Sequence, residues 1–291
     1  MGVIEQLQTQ LGGLFWVVAI GAPVLVLVVV LQVVFKARAK TKQLKQVFLA
    51  GTVVTDRSAP TTGPVAFGLA CGAHMAVNQG IAWNDLDGAG FPKLELRANL
   101  AEMWGVHDNA EWRQVAEAKL AVGTDNLEHV AVDLRRQAGA TDYGDWRRAI
   151  DRAARTGQVP AHTVPALVAA VDRVSGYEDR FRVDGLITGV VPSLRVYDWG
   201  RAVNLARWGL RVGYCDRASA EQVVVRAGEL CAANYGSWAD LSAGFGLGRM
   251  LFFDDEDFAV HYVNVREAHR RLLSEEGSPY VTLPFAAGIR A

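Results

Sequence analysis

The chain has 291 residues, of which 51% are hydrophobic and 21% charged, with a formal net charge of −1. That length holds a globular domain together with a membrane segment, and the near-neutral balance excludes a chain-wide electrostatic pull on nucleic acid. Cys71, Cys215 and Cys231 are widely spaced and form no CxxC pair. They fit reduced core residues, so neither a metal site nor a cofactor is expected.

Residues 1–13 contain no Lys or Arg and lead into LFWVVAIGAPVLVLVVVLQVVF, an apolar run over Leu14–Phe35. About 22 residues at ~1.5 Å rise span the ~30 Å hydrocarbon core, which predicts a single transmembrane helix. A cleaved signal peptide fits less well, because the leading segment lacks positive charge and the run is too long for an h-region. Lys36, Arg38, Lys40, Lys42 and Lys45 follow directly, with no acid among them. The positive-inside rule then puts the short N-terminus outside and everything after the run in the cytoplasm. The same five side chains are candidates for contact with anionic lipid headgroups.

Gly51–Gly63 (GTVVTDRSAPTTG) has linker composition, so residues 36–63 read as a basic juxtamembrane segment plus linker. The soluble domain is predicted over 64–291, and its fold class is predominantly α. Val65–Asn78 opens it as a helix carrying Gly68 and Gly72. The loop Asn78–Pro92 holds Asp85-x-Asp87-Gly88, but Trp83 stands where a calcium loop needs its first ligand. Leu94–Trp104 is amphipathic, Asp108 and Glu111 cap the following helix, and Asp125–Gln137, Tyr143–Arg155 and Pro160–Ser175 continue the helical pattern. Arg180–Val196 is β-branched and broken by Gly and Pro, which makes it a candidate for one short hairpin.

Tyr197–Met250 divides into three helices. Asp198 is the expected cap of the first, Gly213 its end, Asp216 the cap of the second, and Ser237 with Asp240 the cap of the third. Gly244 and Gly248 lie one turn apart on that third helix, which lets a neighbouring backbone come close. Asp254–Asp257 provides acids for the first turn of a helix over Phe258–Leu273. Trp104-Gly105 and Tyr143-Gly144-Asp145-Trp146 find echoes in Trp208-Gly209 and Tyr235-Gly236-Ser237-Trp238, a pattern consistent with a weak internal duplication.

Several motifs carry a family resemblance. They are Asp198-Trp199-Gly200-Arg201 with Asn204, Arg207 and Trp208, the Gly213-Tyr214 turn, Ser237-Trp238, Gly248-Arg249, Ser278-Pro279-Tyr280 and Leu283-Pro284-Phe285. With Trp104-Gly105 and Asp108 upstream, the region from Pro64 to Phe285 resembles the bacterial YbeU/YbeR-like domain of unknown function, the DUF1266 family. In the closing segment Tyr and Phe stand where that family has Trp, and the N-terminal run lies outside the shared domain. The resemblance implies a bacterial source and a helical fold and no activity; the cytoplasmic-membrane setting rests on the apolar run and its basic flank.

Asp198, Arg201, Asn204, Arg207 and Arg211 recur at steps of three and four, which suggests one polar stripe, and Arg249 is a candidate to join it. Such a stripe could bind a carboxylate or phosphate, or close salt bridges to another helix. His261 and His269 lack metal-ligand spacing, and His107, His129 and His162 have no partner in sequence. No nucleophile elbow, P-loop or dinucleotide fingerprint is present. The expected function is therefore a membrane-anchored, non-catalytic module that recruits a protein partner. The alternative is an enzyme with an unfamiliar polar site around Asp198, Arg201 and Arg249.

Overall fold

The computed structural model describes residues 52–88, 90–121, 126–253 and 258–285. The apolar run 14–35, the basic residues Lys36, Arg38, Lys40, Lys42 and Lys45, and the acidic segment 254–257 lie outside them. Among the described residues no helix is long and apolar enough to cross a membrane.

The described chain is helical. In order the helices are α1 (Gly63–Cys71), α2 (Ala73–Gln79), α3 (Lys93–Trp104), α4 (Asn109–Ala121), α5 (Leu127–Ala138) and α6 (Tyr143–Arg155). A 3-10 turn (Ala161–Thr163) leads to α7 (Val164–Val183), then α8 (Val196–Val212), α9 (Arg217–Asn234), α10 (Trp238–Phe252), α11 (Phe258–Ser274) and α12 (Pro279–Thr282). The stops follow local chemistry: Gly105, Gly139 and Gly213 end α3, α5 and α8 with φ of 62°, 63° and 84°, a region that costs glycine no Cβ clash. The starts do too. Asp216 accepts from Ser219 N at 2.8 Å and Ser237 Oγ from Asp240 N at 3.1 Å. Asp108 accepts from Glu111 N at 2.9 Å, while Glu111 reaches back to His107 N at 2.7 Å.

Two hydrophobic cores result. The first gathers α1 to α4 around α8 and α9, with Trp83, Trp112, Trp199 and Trp238 buried in it. The second joins α5, α6 and α7 to α11 around Trp146, Leu167, Phe181 and Tyr262. Helix α10 serves both: Leu241 and Phe245 enter the first core, Ala243, Leu247 and Met250 the second. Small residues set the closest crossings. A Cβ built on Gly68 would stand 2.1 Å from the Val224 carbonyl oxygen, so α1 and α9 approach only because glycine is there.

The hairpin expected over Arg180–Val196 does not form. Arg180–Val183 is the last turn of α7, and the only β-pairing among the described residues is an isolated bridge between Val54 and Ala82. Side chains satisfy the backbone that a hairpin would have paired. Glu178 accepts from Val191 N at 2.8 Å, Arg135 donates to Val191 O at 2.7 Å, and the Tyr235 hydroxyl donates to Ser193 O at 2.6 Å. The segment lies against the glycine face of α10, where a Cβ on Gly244 would meet Ser193 O at 2.6 Å.

Two further expectations change. The repeat is confined to letters: Gly105 is a left-handed cap, whereas Gly209 sits inside α8 against the Trp112 indole. Likewise Tyr143 opens α6 after its cap, whereas Tyr235 precedes the cap of α10. The segment read as linker is bound to the domain from residue 53 onward. Val53 N donates to Glu275 at 3.0 Å, the Trp83 indole to Thr55 Oγ1 at 2.9 Å, and Asn84 both accepts from Asp56 N and donates to Asp56 O at 2.8 Å.

Candidate functional site

Helix α8 begins one turn earlier than its sequence suggests, with Arg195 at the cap, so Asp198 lies in its first turn rather than capping it. There Asp198 Oδ1 accepts from Lys119 Nζ of α4 at 3.1 Å and from Arg201 Nη1 at 3.4 Å. Its other oxygen faces His129 Nε2 of α5 at 4.0 Å. These groups line a cleft of about 570 Å3, closed on its apolar side by Tyr197, Leu251 and Phe252. The described Lys119 and Asn126 walls flank residues 122–125, and Phe252 lies just before 254–257.

Each side chain is positioned by its element. Asn126 caps α5 by accepting from His129 N at 2.9 Å, which fixes His129 in the first turn of that helix. The Arg201 guanidinium stands 4.6 Å from the Phe252 ring centroid, 4.7 Å from Trp104 and 5.2 Å from Tyr197. Aromatic faces on a guanidinium hold it electrostatically and steer its N–H groups into the ring-free plane. Burial pushes the His129 imidazole below its usual range, against the opposing pull of Asp198. A neutral imidazole therefore sits beside a carboxylate, with Nδ1 buried and without a hydrogen-bond partner among the described residues.

The five-residue stripe divides. Nine residues separate Asp198 from Arg207, about two and a half turns, so steps of three have drifted to the opposite face. Arg207 is fully buried and donates to the Trp83 carbonyl and, at 3.3 Å, to that of Ala82. Burial lowers its pKa to about 10, opposed by Asp85. Asn204 is buried with Arg207 in the body of α8. Gly248 lines the cleft, but Arg249 does not; it stacks on Phe253 with its centre 5.2 Å from the ring. Only Asp198 and Arg201 of the expected set reach the cleft, and Lys119 and His129 join them there with no local sequence spacing that links them to α8.

A second polar cluster lies in the interior. Ser242 Oγ is 2.7 Å from His74 Nε2 and 2.9 Å from His269 Nδ1. One hydroxyl proton serves two imidazoles, so Ser242 donates to one ring and accepts from the other. Burial lowers both imidazoles, His269 to about 4, with Arg249 also disfavouring a charge on His74 and Arg270 one on His269. Among the described residues no group of three or more His, Cys, Asp or Glu side chains is placed to hold a metal ion. The cleft walls include no Ser, Thr or Cys among the described residues.

With this geometry in place, comparison with known proteins adds one result. The DUF1266 family, described as a protein of unknown function, matches residues 99–285. The chain belongs to the DUF1266 family. The matched region contains every cleft residue named above and leaves α1 and α2 outside it. Neither a curated protein nor a solved structure matches the chain.

Proposed function

We propose that this DUF1266 protein is a recognition module held at the bacterial cytoplasmic membrane by a single span over 14–35, with its helical domain in the cytoplasm. The basic flank 36–45 would rest on anionic headgroups, and the cleft at the start of α8 would receive part of a protein partner. One observation carries the reading of the cleft: two cations from separate helices share a single carboxylate oxygen at its wall, beside exposed Phe252. Polar groups flanked by an exposed aromatic side chain are the composition of a recognition site.

The test places a photoreactive amino acid at position 252 of the full chain in cells, with a control at Leu94, which is 83% exposed on α3. A discrete adduct from position 252, absent at position 94 and lost in Arg201→Gln, is the expected result. Equal adducts at both positions, or one indifferent to Arg201→Gln, would overturn the cleft as the recognition site. For the tether, protease added to intact cells should spare the domain, and digestion from outside would reverse the proposed orientation.

An enzymatic reading would start from His129, whose Nε2 faces Asp198 at 4.0 Å, but its other ring nitrogen, Nδ1, is buried and is not open to a substrate in the cleft. It lacks a nucleophile among the described cleft walls and would need water in that role. Arg249, part of the expected polar site, has no place in it.

A further inference from the structure

Among the described residues the charges that line the cleft do not balance. Glu128 also lines it, but its carboxylate is held by Arg173 of α7, and Asp133 behind it is held by Arg195 at 2.6 Å. Among the described residues that leaves Asp198 as the counter-ion of both Lys119 and Arg201, one negative charge for two positive ones. Both cations lean on the same oxygen, at 3.1 and 3.4 Å. A guanidinium paired at full strength makes two parallel bonds of about 2.7–2.9 Å, so the single long contact of Arg201 leaves most of its donors unused. Among the described residues it has no other acceptor. Three rings cover its surroundings and keep it to 14% exposure, which favours the donor edge for any anion entering the cleft and strengthens the attraction there.

We propose that Lys119 and Arg201 form a receptor for a carboxylate, that Asp198 is its resting counter-ion, and that the ligand is an acidic side chain of a partner peptide next to an apolar residue. The proposal rests on the cleft being the recognition site. The one surplus positive charge among the described residues matches a monoanion; a doubly charged phosphate would leave these residues with net negative charge beside Asp198. Phe252, 56% exposed at the rim, with Leu251 and Tyr197 provides the contact for the apolar neighbour. Glu128 stays with Arg173 and helps to exclude a second acid.

The experiment titrates the purified full chain with N-acetyl-phenylalanyl-glutamate amide and with its glutamine counterpart by isothermal titration calorimetry. The glutamate peptide should bind at least about tenfold more tightly, and Arg201→Gln or Lys119→Gln should remove that preference. Asp198→Asn should tighten glutamate binding by about tenfold, because it removes the internal competitor. Lys119→Gln carries the test if Arg201→Gln does not fold, since Lys119 is the more exposed of the two. Equal binding of the two peptides, or weaker binding in Asp198→Asn, would overturn the receptor. Inorganic phosphate binding more tightly than acetate with the same variant pattern would overturn the carboxylate assignment. An Arg201-dependent adduct at position 252 without glutamate preference would leave the recognition cleft standing and remove only this inference.

Discussion

Arg135 of α5 and Glu178 of α7 meet in the interior through two parallel hydrogen bonds of 2.8 Å each, with both side chains at most 3% exposed. The guanidinium also lies 4.1 Å from the centroid of the Trp146 ring, and the pair holds Val191 by both its N–H and its carbonyl. Removing one partner strands a buried charge and frees the segment after α7. Glu178→Ala is expected to cost about 3–5 kcal/mol in urea unfolding. The double replacement Arg135→Met/Glu178→Leu should cost far less than the sum of its singles, and additive losses would argue against the pair as a unit.

That pair shows where sequence reading stops. The helices α8 to α10 were legible because apolar periodicity, Gly213 and the caps Asp216 and Ser237 are all local signals. In the region 180–196 Val and Ile residues suggest strands, while the backbone after α7 finds its partners in the side chains of Arg135, Glu178 and Tyr235. The cleft was half legible for the same reason: Asp198 and Arg201 lie one turn apart, but Lys119 and His129 reach them only through the packing of α4 and α5 around α8. Steps of three also link Arg207 to them in sequence, but those steps rotate around the helix and carry it to the opposite face.

The imidazoles on Ser242 set an acid limit to stability. Both have folded pKa values below the free value of 6.5, His269 at about 4, so the unfolded chain binds their protons first as pH falls. Stability is unaffected above about 6.5 and declines from there toward 4, by about 3 kcal/mol for His269 alone. His129 adds in the same direction. Carboxylates such as Asp184 and Asp216, lowered from 3.8 by the Tyr262 and Ser219 hydrogen bonds, titrate below this window. Urea midpoints between pH 7 and 5 should fall in the parent chain and flatten in His269→Gln; an unchanged slope would refute the assignment.

Two glycines inside helices should respond to alanine with opposite signs. Gly68→Ala puts a methyl group into the Val224 carbonyl and must separate α1 from α9, an overpacking loss of about 1–3 kcal/mol or more. Gly176, within α7, has nothing within 4 Å of an added Cβ. Gly176→Ala should therefore stabilise by about 0.5–1 kcal/mol through helix propensity. Losses of equal size at both positions in urea titrations would show that the α1–α9 crossing is not set by Gly68.

Asp198 and Arg201 should differ in what their removal costs, and the difference separates a cleft from a closed ion network. Were they a sealed pair, losing either partner would cost about 3–5 kcal/mol. Their side chains are instead 15% and 14% exposed, and their contact is 3.4 Å. Arg201 is held more by its three rings than by Asp198, so Arg201→Ala should cost about 2 kcal/mol, largely as lost stacking. Asp198→Asn removes only a partly screened attraction and should cost about 1 kcal/mol. For a domain of this size these losses correspond to melting shifts of roughly 4–8 °C and 2–4 °C. Salt provides the sharper discriminator. Raising ionic strength to about 1 M shortens screening to ~3 Å, so the Asp198→Asn deficit should shrink while the Arg201→Ala deficit persists. Equal, salt-insensitive drops in both variants would mean the pair is built for stability, and the cleft at the start of α8 would lose its case as a recognition site.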